Sequence, residues 1–282
     1  MTNDKALAKL KLIVFDLDGT LLNDQGEIGD ESIKYIKILR EAGVKFTFAS
    51  GRLYSALTPY AEQLDLKTPI ISMDGAFIKA YPDGEIIQQT CIPKAKVKKA
   101  VDYAERFLVK FALCHAEAIY YTEHNDNVPD LMDKFGAKFE EVDVYDHLLD
   151  DTLEIICISD MRKNLKYIKK MMGFPYTWNL ITSYSKSMSN EGLYLLEIRK
   201  KGSTKASGLM RLLKHLKLNI KETAVVGDWY NDLSLFETKA VKVALENAVG
   251  DIKDKADIIT KRDNNHDGVA EFLEAVVNAK NL

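Results

Sequence analysis

The sequence predicts an α/β fold: one parallel-sheet domain built from both ends of the chain, interrupted by an inserted α+β domain. Three observations carry this. Short apolar runs alternate with helical patterns over residues 10–72 and again over 204–277, as in strands joined by crossover helices. Between these stretches the texture changes to short strand candidates, opening on a hairpin turn signal. The length of 282 residues suits about two domains at about 150 residues each.

Leu10 to Phe15 is apolar and partly β-branched, the pattern of a buried strand. Ser32 to Arg40 places Ile33, Ile36 and Leu39 at helical spacing, and Gly43 follows as a C-terminal stop. Val44 to Ala49 reads as a second strand, Leu53 to Leu64 as a second helix and Pro69 to Ser72 as a third strand. That β-α-β-α-β order predicts a parallel sheet with helices on both faces.

In the middle block, Phe77 to Tyr81 and Glu85 to Thr90 flank Pro82-Asp83-Gly84, a hairpin signal. Lys94 to Leu108 reads as a basic amphipathic helix. Strand candidates follow at Phe111 to His115, Ala118 to Thr122 and Leu153 to Ser159. A helix is predicted over Asn164 to Met172, then strands over Tyr176 to Ser183 and Leu193 to Ile198. The acidic stretch Glu140 to Asp151 reads as a solvated loop or short helix. The βα rhythm resumes with a helix at Thr204 to Leu216, a strand at Thr223 to Val226 and a helix at Asp232 to Glu237. Strands at Val241 to Ala244 and Ala256 to Thr260, and a helix from Gly268 to Val277, complete it. The expected domains are therefore residues 1–84 and 195–282 as a split core, with 85–194 inserted.

Composition narrows the function. Thirty-nine basic residues against 42 acidic ones give a formal charge of −3, which argues against a broad nucleic-acid surface. No apolar run approaches the roughly 18 residues of a membrane span, and the polar start Met1 to Lys9 lacks a secretory h-region. Cys91, Cys114 and Cys157 are odd in number and lie among apolar neighbours, so reduced, packed thiols and a cytoplasmic setting are expected. The five histidines lack metal-binding spacing and read as surface or packing residues.

The chemistry-bearing residues fall at strand ends. Asp16-Leu17-Asp18-Gly19-Thr20 follows the first strand, where open α/β sheets gather ligands. Two carboxylates there can hold Mg²⁺, and one can attack a phosphoryl group; an acidic turn is the plainer alternative. Ser50-Gly51-Arg52 opens a helix after the second strand, suiting phosphate oxygens, although alone it reads as an N-cap. Lys205 sits at a helix start, against the macrodipole, and alone reads as a solvated lysine. Gly227-Asp228-Trp229-Tyr230-Asn231-Asp232 again puts carboxylates at a strand's C-terminal end, with a capping sequence as the alternative. The four signals together, in this order, are far more specific than any one.

With these motifs and the tail from Asn247-Ala248 to Gly268-Val269, the sequence resembles haloacid dehalogenase (HAD)-type phosphatases of the Cof-type subfamily, over nearly the whole chain. The resemblance implies a Rossmann-like HAD core with an inserted α+β cap that closes over the site. It implies Asp16 as nucleophile, forming an aspartyl-phosphate, and Asp18 as general acid and then base. Mg²⁺ is expected between Asp16, the Asp18 backbone carbonyl and Asp228, with Asp232 supporting it. Ser50, Gly51, Lys205 and Asn231 are expected to hold the phosphoryl group of a small phosphorylated metabolite, of the sugar phosphate, pyridoxal phosphate or FMN type. No nucleic-acid or membrane partner is expected. A phosphomutase and a non-catalytic phospho-metabolite sensor are the alternatives, and the intact Asp16/Asp18 pair disfavours the sensor. Two positions depart from the family pattern: Asp74 stands where Asn is common before Gly-Ala, and Trp229-Tyr230 is bulky.

Overall fold

A computed structural model describes residues 4–82, 84–125, 128–129, 137–187 and 191–282, so Asp83 of the expected hairpin turn lies outside the described residues. The chain divides into two compact units, one of residues 1–51, 57–87 and 204–282, the other of residues 52–56 and 88–203.

The first unit opens with α1 (Asp4–Ala8), β1 (Leu12–Phe15), α2 (Asp30–Glu41) and β2 (Lys45–Phe48). β1 is buried at every position, as a strand covered on both faces must be, so its run is continuously apolar rather than alternating. The expected second helix is shorter than its pattern: only α3 (Thr58–Gln63), with Pro59 in its first turn, is regular. β3 (Ile70–Ser72) is next, and the backbone then turns through Met73, Asp74 and Gly75, all with positive φ. That turn sends β4 (Phe77–Lys79) back antiparallel to β3, and β5 (Ile86–Gln89) completes a three-stranded sheet. The third strand of the expected parallel series thus belongs to this small sheet, joined to the main one by a single parallel bridge, Ala49 to Ile71.

The second unit contains α4 (Lys94–Arg106), β6 (Lys110–Cys114), β7 (Ile119–Tyr121), β8 (Phe139–Glu141), β9 (Glu154–Ser159), α5 (Arg162–Met172), β10 (Leu180–Lys186) and β11 (Tyr194–Lys200). Its six strands run in the order β10-β11-β9-β6-β7-β8, antiparallel except for β7 with β8. Because β11 pairs along its length with both β9 and β10, residues up to 203 group with this unit. Val97, Ala100 and Ala104 of α4 and Leu165, Ile168 and Met172 of α5 fill its core. The acidic stretch 140–151 is no simple solvated loop. Tyr145, Leu148 and Leu149 enter the same core, and the Tyr145 hydroxyl donates to the Phe111 carbonyl at 3.3 Å. Cys114 and Cys157 are buried and Cys91 is half-buried, all three as free thiols.

The chain then re-enters the first unit with α6 (Lys205–Leu216), β12 (Thr223–Gly227), α7 (Leu233–Phe236), β13 (Val241–Ala244), α8 (Gly250–Lys253), β14 (Ile258–Ile259) and α9 (Gly268–Lys280). The main sheet is wholly parallel, in the order β14-β13-β12-β1-β2. β1 and β12, from opposite ends of the sequence, are neighbours, and their carboxyl ends lie side by side. Among the described residues, no helix is long and apolar enough to cross a membrane.

Leu209, Leu212 and Leu213 pack α6 into the core, and close approach fixes where it starts. Gly75 has φ +87°, and a Cβ there would stand 2.3 Å from the Thr204 carbonyl oxygen. Thr204 caps α6 reciprocally with Ser207. Gly75→Ala should therefore cost the left-handed penalty, about 1–2 kcal/mol, plus a clash of about 1–3 kcal/mol. Gly43→Ala, at φ +86° with nothing within 4 Å of its Cβ, should cost the first part alone. Urea unfolding midpoints of the two variants check the difference; equal shifts would mean that α6 gives way freely.

Candidate active site

Asp16 extends β1 by one residue: its N–H donates to the Val226 carbonyl at 2.9 Å, so its position is fixed by the β1–β12 register. The chain then winds through one tight turn, with Thr20 N–H on the Leu17 carbonyl (3.1 Å) and Leu22 N–H on the same oxygen (2.9 Å). Gly19 sits in this turn at φ +72°, and its missing Cβ is required twice. The conformation favours glycine, and a Cβ would lie 2.6 Å from the Asp228 Oδ2. Thr20 Oγ donates to Asp228 Oδ1 at 2.6 Å, linking the ends of β1 and β12.

Lys205, the first residue of α6, is fully buried, and its Nζ reaches Asp16 Oδ1 at 2.8 Å and Asp232 Oδ1 at 2.7 Å. The other oxygen of Asp232 accepts the main-chain N–H groups of Asp228 (3.1 Å) and Trp229 (3.3 Å). The ligand oxygens of Asp16, Asp228 and Asp232 all lie within 4.8 Å of one another. Asp18 is not part of that group, and its side chain is exposed.

Three carboxylates around one ammonium leave excess negative charge out of water. Burial and the Asp232 charge together push Asp16 well above the usual carboxylate range, against the opposing pull of Lys205. Burial alone would lower the Lys205 ammonium, but Asp16, Asp232 and Asp74 outweigh it and hold it charged. Burial is also the main cause for Asp228, raised to about 6 although the Thr20 hydroxyl favours its ionised form. An oxygen-preferring divalent cation fits such a donor set, since it would remove the cause of these shifts.

Ser50 is buried at the end of β2, its N–H on the Ile71 carbonyl (3.1 Å) and its carbonyl accepting from Asp74 N–H (3.0 Å). Gly51 follows, and the Asp74 carboxylate stands 3.4 Å from where a Gly51 Cβ would be. Asp74 is therefore turned toward Gly51, and its charge is felt at Lys205. Asn231 lies in a single 3₁₀ turn, Tyr230–Asp232, flanked by the exposed rings of Trp229 and Tyr230, 5.3 Å apart. The sequence motifs thus bring Asp16, Lys205, Asp228 and Asp232 into contact and leave Asp18 and Asn231 at the exposed side. The sequence marks the strap from Thr20 to Asp228 only faintly. Its only signal was a threonine at the end of the Asp16–Thr20 motif.

Lys205→Met should destabilise the protein by about 3–5 kcal/mol at neutral pH, because Asp16 and Asp232 lose their buried countercharge. The loss should shrink at acid pH, where Asp16, already pushed up, takes on a proton; thermal unfolding across pH reads both. For Asp228, the folded state holds a proton that the unfolded chain, with the ordinary value of 3.8, releases earlier. In chelated protein its contribution to stability is therefore lost as pH rises from about 4 to 6, by up to about 3 kcal/mol. Asp228→Asn should gain on the wild type over that window in urea unfolding; a constant difference would contradict the shift.

A family model described as haloacid dehalogenase-like hydrolase matches residues 13–273. The chain is 27% identical over 265 residues to 5-amino-6-(5-phospho-D-ribitylamino)uracil phosphatase YitU of Bacillus subtilis, with 93% of this chain and 96% of that protein covered. It is 27% identical over 289 residues to phosphatase YwpJ of the same organism, with 94% and 99% covered. A solved haloacid dehalogenase-like hydrolase from Bacteroides thetaiotaomicron matches with a TM-score of 0.83 at 26% identity, over 95% of this chain and 99% of that one.

Proposed function

The chain belongs to the haloacid dehalogenase-like hydrolase family and acts on phosphate esters; from that premise we propose a Mg²⁺-dependent phosphomonoesterase that works through an aspartyl-phosphate. The observation that carries this reading is the buried Lys205 shared by Asp16 and Asp232, with Asp228 alongside and Asp18 one short turn away.

In the first step an Asp16 carboxylate oxygen bonds to phosphorus and the ester P–O bond breaks, its electron pair leaving on the substrate oxygen. Protonated Asp18 gives that oxygen its proton. In the second step Asp18 takes a proton from water as the water oxygen bonds to phosphorus, and the Asp16–phosphate bond breaks to release inorganic phosphate. Lys205 holds Asp16 in one orientation, and with Ser50, Gly51 and Asn231 binds the phosphoryl oxygens. Asp16, Asp228 and the Asp18 carbonyl would hold Mg²⁺, which supplies charge neutralisation at the transferring group. Asp232 acts in support, since Lys205 and two main-chain amides already occupy both its oxygens. The substrate class we favour is a small, hydroxyl-rich phosphomonoester. Sugar and ribityl phosphates are the first to assay, in line with the phosphoribityl substrate in the name of YitU.

Release of inorganic phosphate from an aryl phosphate should require Mg²⁺, vanish on chelation and vanish in Asp16→Asn. Asp18→Asn should lose about 10²–10⁴-fold on an alkyl phosphate. Activity that persists in Asp16→Asn, or an isomerised sugar phosphate formed without free phosphate, would overturn the reading.

A further inference from the structure

The whole-chain charge of −3 conceals a face of the second unit with the opposite sign. From Arg162 to Trp178 the chain carries five basic side chains, Arg162, Lys163, Lys166, Lys169 and Lys170, and no acidic one. Leu165, Ile168 and Met172 turn one side of α5 into the core, which leaves the basic side facing out. Among the described residues none of the five is paired with a carboxylate. Lys166, Lys169 and Lys170 line an open hollow of about 410 Å³ together with Phe174 and Thr182.

The loop after α5 ends that face in aromatic rings. Phe174 and Trp178 are 72% and 65% exposed, and Tyr176 is exposed beside them. Large rings grouped in water mark a surface that something covers. The loop that carries them is fastened rather than slack. Thr177 N–H donates to the Gly173 carbonyl and the Thr177 hydroxyl to the Met171 carbonyl, both at 2.8 Å. From α4, Lys99 Nζ donates to Thr177 Oγ1 (2.9 Å) and to the Met171 carbonyl (3.2 Å), and Lys96 Nζ donates to the Trp178 carbonyl. The backbone is thus held in a conformation that turns two large rings outward.

We propose that this face is a peripheral docking surface for an anionic lipid bilayer: Phe174 and Trp178 enter the headgroup region while the lysines meet lipid phosphates. Basic side chains around exposed aromatic rings suit that boundary, which is apolar at depth and anionic at its surface. A nucleic acid fits less well, because the ring faces on which bases would stack are taken. Lys170 lies over Tyr176 and Lys169 over Tyr184, 5.7 and 5.8 Å from the ring centroids. Trp178 and Phe174 meet edge to face at 4.8 Å. A second copy of the chain, in a two-fold contact, would set five positive charges against five. Peripheral binding needs no membrane span, so the lack of a long apolar helix among the described residues does not bear on it.

The test is co-sedimentation of the full chain with vesicles of phosphatidylcholine alone and of phosphatidylcholine mixed with phosphatidylglycerol, at low and high salt. Binding should require phosphatidylglycerol and weaken as salt rises. Changing Lys166, Lys169 and Lys170 together to Gln should weaken it about a hundredfold, at roughly fivefold for each ammonium. Phe174→Ala with Trp178→Ala should weaken it about tenfold. These side chains lie at the surface, so thermal midpoints should stay near that of the wild type. In a Trp229→Phe background Trp178 is the one remaining tryptophan, and its emission should shift to the blue on anionic vesicles only. Equal binding to both vesicle types, binding untouched by the lysine or ring variants, or an unshifted Trp178 would overturn the proposal. So would a blue shift that needs no lipid and grows with protein concentration, or binding to a single-stranded oligonucleotide in place of vesicles.

Discussion

A buried ammonium held between two carboxylates organises this site. Removing Lys205 and its partners from water costs several kcal/mol per ion, and that cost is offset only if the geometry is tight and the remaining lone pairs are used. Both conditions hold at Asp232. Contacts of 2.8 and 2.7 Å join Lys205 to Asp16 and Asp232, and the second oxygen of Asp232 is spent on two main-chain amides. The requirement spreads outward. Lys205 reaches Asp16 only if α6 starts where it does, which depends on the Thr204 cap and on a glycine at position 75 lying against the Thr204 carbonyl.

The same constraint separates four chemically identical side chains by environment. Asp232 is saturated and serves to hold Lys205 and the loop after β12. Asp16 shares one oxygen with Lys205. Asp228 gives one oxygen to Thr20 and is left buried with excess charge. Asp18, two residues from Asp16, is exposed. A nucleophile should be oriented and an acid–base group should meet water, and these surroundings fit that division of labour; the burial and neighbouring charge that push Asp16 up are what a bound cation would offset.

Much of this was legible in the sequence because the site sits where strands end. The apolar runs of β1 and β12 mark two buried strands, and the motif aspartates follow each directly, so strand order alone brings Asp16 and Asp228 together. The tail motif from Asn247 to Gly268 was visible as a resemblance, yet nothing local showed Asn247 bonding across 228 positions to Gly19. The third strand meets the parallel sheet at the Ala49–Ile71 bridge but pairs along its length with β4, a choice its composition leaves open. Its partner was decided by three successive positive-φ residues, Met73 to Gly75, of which only the glycine announces itself. The stretch 140–151 failed for the opposite reason. Its acidic residues dominated the composition, while Tyr145, Leu148 and Leu149 supplied the burial.

Asp74 shows how a departure from the family pattern can be neutral in conformation and not in charge. Its left-handed backbone is one that Asn and Asp tolerate better than most residues, so replacing the commoner Asn costs the turn little. The carboxylate, however, stands beside Gly51 and acts on a lysine already shared between Asp16 and Asp232. An incoming phosphate dianion therefore meets more negative charge here than an asparagine would present. Three responses can meet that charge: a divalent cation among Asp16, Asp228 and Asp232, a donor group on the substrate itself, or both. The whole-chain charge of −3 is silent on this balance, which is set by a few carboxylates within reach of one ammonium.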